Sequence, residues 1–282
     1  MVSDVVDERV EACENAGLIS QPVEQTLAKW WNTVRHWASL DLIRTMERTS
    51  RDQRAMSYYL ALPADKVVTF DYLGTQVRFF VPDGHSDNVQ STQMLDHMFF
   101  EQEELTWLAE RIDLTGHAFI DVGANVGNHS VFWTSICGAA RGWAFEPLPR
   151  NFEVMTRNFS LNSSPVEGAR FAITEAPQHL TLERTSIPNL GGSSFRASDR
   201  GTVEGRPLDS FEFSDVCLLK IDVEGAAAGV LKGGRNTIAT HRPSIMIELS
   251  PVENEPCRQL LSEFGYRQAH AFPYDTFLFE RP

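Results

Sequence analysis

The sequence predicts an α/β protein, with a mainly parallel sheet covered by helices on both faces and a helical and hairpin extension before it. Three observations predict this. From residue 117 onward, short apolar runs alternate with helical stretches, the pattern of parallel strands joined by crossover helices. The run Phe119-Ile120-Asp121-Val122-Gly123-Ala124-Asn125-Val126-Gly127 ends its apolar part in a carboxylate and turns through small residues into a helix. A strand therefore enters a helix through a loop whose backbone a ligand can approach closely. Near the C-terminal end, Tyr266–Ala271 and Thr276–Glu280 flank Pro273-Tyr274-Asp275 and read as a closing antiparallel pair.

The elements follow in order. Residues 1 to about 62 are predicted helical. Between Glu24 and Met46, apolar residues at Leu27, Trp30, Trp31, Val34, Trp37, Ala38, Leu42 and Met46 keep helical spacing. Their three tryptophans pack this helix onto the main domain or mark an interaction surface, with a homodimer as the candidate assembly. Pro63 breaks the pattern, and Val67–Phe70 with Gln76–Val81 reads as a hairpin turning at Gly74. A polar loop over Asp83–Asn88 and a helix over Leu105–Ile112 come next, the helix stopped by Asp113 and Gly116. Then come a strand at 117–121 with a helix to about Cys137, and a strand at 142–146 with a helix from about Arg150 to Leu161. A third strand is expected over Ala169–Ile173, followed by an irregular stretch from 174 to 212 that includes a Gly191-Gly192-Ser193-Ser194 loop. The fourth strand, Val216–Asp222, leads to a helix over Ala226–Thr240. The fifth, Ser244–Leu249, leads to a helix over Glu253–Phe264. Residues 1–97 thus read as an accessory segment and 98–282 as the ligand-binding domain.

Composition narrows the function classes. At 282 residues, 42% hydrophobic and 22% charged, the chain has the make-up of an ordinary globular protein with one large core and an appendage. Its 25 basic and 38 acidic residues leave a net charge of −13, with no cluster of Lys and Arg to release counterions from a nucleic acid. The cysteines Cys13, Cys137, Cys217 and Cys257 are scattered, with no C-x-x-C and no histidine at metal spacing, which argues against a disulfide frame or a metal site. No apolar run has signal or transmembrane length, so the expectation is a cytoplasmic protein without a membrane span.

The glycine loop decides the ligand class. Twenty-three residues past Gly123, the apolar run Gly142-Trp143-Ala144-Phe145 ends in Glu146, an acid placed to accept both hydroxyls of a ribose. A G-x-G-x-x-G dinucleotide fingerprint fails, because Asn125 and Asn128 stand where the second and third glycines belong. The pattern D-x-G-x-G-x-G fits instead, with Asp121, Gly123 and Gly127 in place and Asn125 at the middle glycine, a residue that tolerates left-handed backbone. No G-x-x-x-x-G-K-[ST] occurs. A short loop of this kind suits a cofactor without a pyrophosphate, which points to S-adenosylmethionine. Asp121 and Asn125 are candidates to orient the amino and carboxylate ends of its methionine, although Asp121 can equally fasten the loop without touching ligand. Glu101 is a candidate for the same amino acid end, with a solvated helix start as the alternative.

A second cluster is Leu218-Leu219-Lys220-Ile221-Asp222-Val223-Glu224-Gly225. Strand alternation puts Lys220, Asp222 and Glu224 on one side, at the end of a strand that should be buried. Lys220 reads either as part of an ion network that neutralises Asp222 or as a functional cation. Methyl transfer from a sulfonium needs an aligned nucleophile and a destination for its proton, and Asp222 or Glu224 can serve as that base for a hydroxyl. His97, His117 and His129 read as packed or solvated histidines, with His129 alone positioned one turn into the helix after the loop, where it can face the cleft.

Five segments together resemble the FkbM family of S-adenosylmethionine-dependent methyltransferases. They are Asp121-Val122-Gly123-Ala124-Asn125-Val126-Gly127-Asn128, Ala144-Phe145-Glu146-Pro147-Leu148-Pro149, Asn158-Phe159-Ser160-Leu161-Asn162, Leu219-Lys220-Ile221-Asp222-Val223-Glu224-Gly225 and Arg242-Pro243-Ser244-Ile245-Met246-Ile247-Glu248-Leu249. They occur in the family's order, and the resemblance covers about residues 98–282. It implies a class I, Rossmann-like fold with a mainly parallel seven-stranded sheet and a C-terminal antiparallel strand. It also implies a methyl donor held around Asp121, Gly123, Asn125, Gly127, Asn128, Glu146, Pro147 and Asp222. The activity it implies is O-methylation of a hydroxyl on a sugar, glycolipid or polyketide-type natural product. An N-methyltransferase with the same donor site and a non-catalytic cofactor-binding scaffold are the alternatives. The chain departs from the family where Ala226-Ala227 replaces the usual Ala-Glu. It departs again at Ile173-Thr174-Glu175-Ala176-Pro177, which lacks the usual small-residue-plus-Asp pattern and so leaves the adenine contact open.

Overall fold

The computed structural model describes residue 48 and residues 50–184 and 194–282; the tryptophan-bearing helix expected over 24–46 and the Gly191–Ser193 turn lie outside them. The chain divides into two compact units, Met1–Arg54 and Ala55–Pro282. In the first, residues 48 and 50–54 are helical. The second holds everything that follows, including a helical stretch over residues 55–61.

The second unit is organised by a seven-stranded sheet in the order β12-β13-β11-β10-β3-β4-β5. Here β3 is Ala118–Val122, β4 Arg141–Phe145, β5 Val166–Ala169, β10 Val216–Ile221, β11 Ser244–Glu248, β12 Arg267–Ala271 and β13 Thr276–Glu280. The strands from β5 to β11 are parallel to one another, and β13 runs antiparallel between β11 and β12. This is the class I methyltransferase order, with the antiparallel strand where the sequence predicts it. Alternation along each strand divides the core. Phe119, Leu218 and Met246 face one apolar cluster, while Ile120, Leu219, Ile245 and Ile247 face the other.

Helices cover both faces. On the first face α1 (Asn88–Leu95), α2 (Gln102–Arg111), α3 (Asn128–Ser135) and α4 (Pro149–Leu161) pack with a hairpin of β1 (Val67–Tyr72) and β2 (Thr75–Phe80). The hairpin is part of this core: the Phe99 ring lies 5.7 Å from both Phe70 and Phe79 and 5.0 Å from Phe132, edge-on to all three. Residues 55–97 thus belong to the same compact unit as the sheet. On the second face lie α5 (Ala227–Gly233), α6 (Arg235–His241) and α7 (Asn254–Glu263), which bury Val230, Leu231, Ile238 and Leu261.

Three local expectations are corrected, and one helix, α1, stands where the sequence announced none. The third strand of the main sheet is Val166–Ala169; the chain then leaves the sheet, and Ala172–Ile173 (β6) joins a separate one. The stretch expected to be irregular supplies the rest of that four-stranded sheet, ordered β6-β9-β7-β8, with β7 at Gln178–Arg184, β8 at Ser194–Ala197 and β9 at Val203–Arg206. The single helix expected over Ala226–Thr240 is two, broken where Gly233 packs so closely on Thr174 that a Cβ there would lie 2.1 Å from its carbonyl oxygen. Finally, α1 carries no apolar periodicity because it buries polar side chains in hydrogen bonds. Asp87 accepts from the Gln90 N–H at 2.9 Å, and Gln93 Nε2 donates to Asn128 Oδ1 at 3.1 Å.

Candidate active site

Three strand ends meet where the sheet order reverses. From β3 the chain adds β4 and β5 on one side, and β10 and β11 lie on the other. A switch point of this kind leaves a crevice beyond the strands' carboxyl ends. Here it is a cavity of about 340 Å³, bordered by Gly123 after β3, Glu146 and Pro147 after β4, and Asp222, Val223, Glu224 and Gly225 after β10. Phe171, Ile173 and Thr174 leading into the small sheet, with Leu180 and Phe195 within it, form the opposite wall. Such a volume is in the range that buries a nucleoside-sized ligand.

The glycine loop is fastened from beneath. Asp121 is fully buried, and its Oδ2 accepts a hydrogen bond from Ser130 Oγ at 2.7 Å. Its Oδ1 lies 3.4 Å from Lys220 Nζ, close enough for charge attraction without hydrogen-bond geometry. Lys220 Nζ also donates to the Gly123 carbonyl at 3.1 Å and pairs with Asp222 Oδ2 at 3.1 Å. Burial works against the Lys220 charge, yet Asp222 and Asp121 raise its pKa above the usual lysine value. The network reading of Lys220 is thus what the structure contains. Gly123 sits at φ 80°, and a Cβ there would lie 1.8 Å from the Asp222 carbonyl oxygen, so only glycine lets the loop cross the end of β10.

Glu146 closes the other side. Its side chain is buried, with Oε2 accepting from the Asn125 N–H at 2.9 Å and Oε1 from the Leu148 N–H at 2.8 Å. Burial pushes its pKa up to about 8, although both N–H donors and Lys220 favour the charged form. Each carboxylate oxygen has a second lone pair, so Glu146 keeps acceptor capacity toward the cavity that it borders. Asn125, in left-handed backbone at φ 51°, holds a buried Oδ1 that no donor among the described residues satisfies. A buried acid with spare lone pairs at the edge of the cavity fits the hydroxyls of an adenosyl-type ligand.

The structure sorts the remaining candidates. Gly123, Glu146, Pro147, Asp222 and Glu224 border the cavity, whereas Glu101, Asp121, Asn125, Gly127 and Asn128 do not. Asn128 is occupied in clamping the chain before α2: its Nδ2 donates to the Phe100 carbonyl at 2.9 Å and its Oδ1 accepts from the Phe100 N–H at 3.0 Å. Gly127 packs against Met155 and Phe159. Glu101 Oε2 lies 3.3 Å from Nε2 of the buried His129. His97 stacks on Phe70 and hydrogen-bonds with Tyr58, and His117 pairs with Asp215 at 2.9 Å at the far end of β3.

Asp222 also borders a second, narrow cleft, together with Glu224, Gly225, Glu248, Ser250 and Glu253. Burial tends to raise the Asp222 pKa, but Lys220, through charge and hydrogen bond, and Glu248 hold it below the usual aspartate range. Glu248 responds the other way. Burial first, then the charge of Asp222, pushes it up to about 8, with Glu224 and Glu101 adding to the effect. At the departure, the Ala227 N–H donates to Glu253 Oε1 at 2.9 Å, so the loop after β11 supplies a carboxylate at the start of α5. Sequence reasoning singled out neither Glu248 nor the small-sheet wall. The available signal for Glu248 was an acid ending an apolar run, Ile245-Met246-Ile247-Glu248, as Glu146 does.

The family model described as the methyltransferase FkbM domain matches residues 121–268, just over half of the chain. The hexuronic acid methyltransferase AglP of Haloferax volcanii is 30% identical over 150 residues, covering 51% of this chain and 60% of that protein. The methyltransferase sdnD of Sordaria araneosa is 30% identical over 156 residues, covering 40% of this chain and 59% of that protein. The chain thus spans about three-fifths of the length of these curated relatives. Among solved structures, an FkbM methyltransferase from Methylobacillus flagellatus KT matches with a TM-score of 0.43 and 21% identity, over 60% of this chain and 44% of that one.

Proposed function

Because the chain belongs to the FkbM methyltransferase family, we propose that it transfers a methyl group from S-adenosylmethionine to a hydroxyl of a sugar or natural-product acceptor. The observation that carries this reading is Glu146, a buried acid with spare lone pairs at the end of the second strand of the switch-point cavity. In this reading Glu146 takes the ribose hydroxyls, and Phe171, Ile173 and Thr174 line the place for the adenine. Lys220 fixes the Gly123 carbonyl and Asp222 at the end where the methyl group is delivered. The donor, when bound, supplies an activated methyl group on a sulfonium. The protein's part is to align an acceptor oxygen with it, exclude water and take up a proton. The hydroxyl acceptor is favoured by the carboxylates beyond Asp222, and by relatives whose names include a hexuronic acid methyltransferase.

The test is donor turnover with a panel of free sugars, uronic acids, glycolipids and their amino analogues, read as formation of S-adenosylhomocysteine and of methylated product. Methyl ether formation on a hydroxyl is the expected result. Transfer only to amines would replace the O-methyltransferase reading. A purified protein that binds neither S-adenosylmethionine nor S-adenosylhomocysteine in calorimetry would overturn it altogether.

A further inference from the structure

We propose that Glu248, at the end of β11, is the group that takes the acceptor's proton, and that Asp222 positions it and stays ionised. The inference rests on the methyl-transfer reading and assigns a role within it. Geometry separates the two carboxylates. The parallel register pairs Ile221 with Ile247, so Asp222 and Glu248 leave adjacent strands side by side on one face of the sheet. Asp222 borders both the donor cavity and the narrow cleft, while Glu248 borders the cleft alone. Asp222 lies 3.1 Å from the buried Lys220 ammonium, which already stabilises its negative charge and makes it a poor base. Glu248 faces mostly negative groups: Asp222 beside it, Glu224 and Glu253 across the cleft, and Glu101 from the start of α2. Lys220 and His129 act on Asp222. Of the adjacent pair, Glu248 rather than Asp222 gains from a proton, and its affinity for one is matched to neutral pH.

The step balances without any further reactant. The acceptor oxygen forms a bond to the methyl carbon as the carbon–sulfur bond breaks, and the bonding pair returns to sulfur as a neutral thioether. The hydroxyl proton passes to the Glu248 carboxylate and leaves to solvent through the cleft. Glu248 must be ionised for this, so the rate should rise with pH and level off near or below pH 8, because a neighbouring sulfonium favours the carboxylate.

The experiment compares the full-length wild type with Glu248→Gln and Glu248→Asp, using whichever sugar of the panel above the wild type methylates. Glu248→Gln should lower kcat by about 100-fold or more and flatten the pH profile between 6 and 9, with S-adenosylhomocysteine affinity within about threefold of wild type. Glu248→Asp should restore part of the rate and the rising limb. A Glu248→Gln protein with wild-type kcat, or with the same rising limb at reduced rate, would overturn the assignment. So would a Glu248→Asp protein no more active than the glutamine variant while binding S-adenosylhomocysteine normally. Absence of wild-type turnover on every acceptor would instead remove the methyl-transfer reading, and this assignment with it.

Discussion

Glu146 and Glu248 are both acids at strand ends whose protons are held more tightly than in a free side chain, and their neighbours decide what each can do. Glu146 is surrounded by backbone donors, which suit it to accept further hydrogen bonds. Ribose hydroxyls would favour its charged form, so ligand binding should release a proton in the range where Glu146 is still protonated. Affinity for S-adenosylhomocysteine is therefore expected to rise between about pH 6 and pH 8, and calorimetry in buffers of different ionisation enthalpy should register the released proton. Glu146→Ala should weaken binding by at least about tenfold, since charge-assisted hydrogen bonds contribute on the order of 1.5–3 kcal/mol each. Unchanged affinity and no proton release would remove the ribose assignment. Glu146 was legible in the sequence because its place depends on one strand and its spacing from Gly123. Glu248 was not, because its environment is set by the register of β10 against β11, by Lys220 beneath Asp222 and by Glu101 from another helix.

At the scale of elements, the crossing of the glycine loop over the end of β10 is a demand of the fold that can be separated from the demand for left-handed backbone. Gly123 and Gly225 both have positive φ, at 80° and 75°. A Cβ on Gly123 would overlap the Asp222 carbonyl, whereas one on Gly225 meets nothing within 4 Å. Gly225→Ala should therefore cost only the left-handed penalty, about 1–2 kcal/mol. Gly123→Ala should cost at least about 3 kcal/mol, because the loop must also shift, and urea unfolding midpoints of the two variants would compare them. Equal costs would mean that the loop moves aside freely. The same distinction explains what could be read locally. Strands β3, β4, β10 and β11 announce themselves as apolar runs because both their faces are buried. The edge strand β5, Val166-Glu167-Gly168-Ala169, hides its nature, since Glu167 faces solvent and pairs with Arg141. Helix α1 lacks an apolar stripe because Gln90 and Gln93 are buried through hydrogen bonds, and the small sheet is built from short strands that carry Thr, Arg and Glu as well as apolar residues.

For the whole molecule, the sheet order places two proton-avid acids at strand ends, Glu146 at the donor cavity and Glu248 at the narrow cleft, and this couples stability to pH in a definite direction. Both Glu146 and Glu248 have folded-state pKa values near 8, against ordinary glutamate values near 4.5. Between these limits the folded chain binds more protons than the unfolded one, so unfolding free energy must fall as pH rises. Asp222 shifts the other way, but its depressed pKa matters only below the ordinary aspartate range, outside this window. The ligand-free protein should therefore lose stability from about pH 5 to pH 8, by at least about 2 kcal/mol if even half of the two shifts is expressed. Saturating S-adenosylhomocysteine should offset most of the part due to Glu146, because its hydroxyls favour the ionised acid, and should leave the part due to Glu248. The Glu146→Gln variant should show a shallower loss without ligand and little change in slope with it. Chemical unfolding at pH 5, 6.5 and 8, with and without ligand, measures all of these. A ligand-free protein whose stability rises steadily across that interval would mean that the two acids are ionised as in ordinary glutamates, and that their sites are wetter than their burial implies.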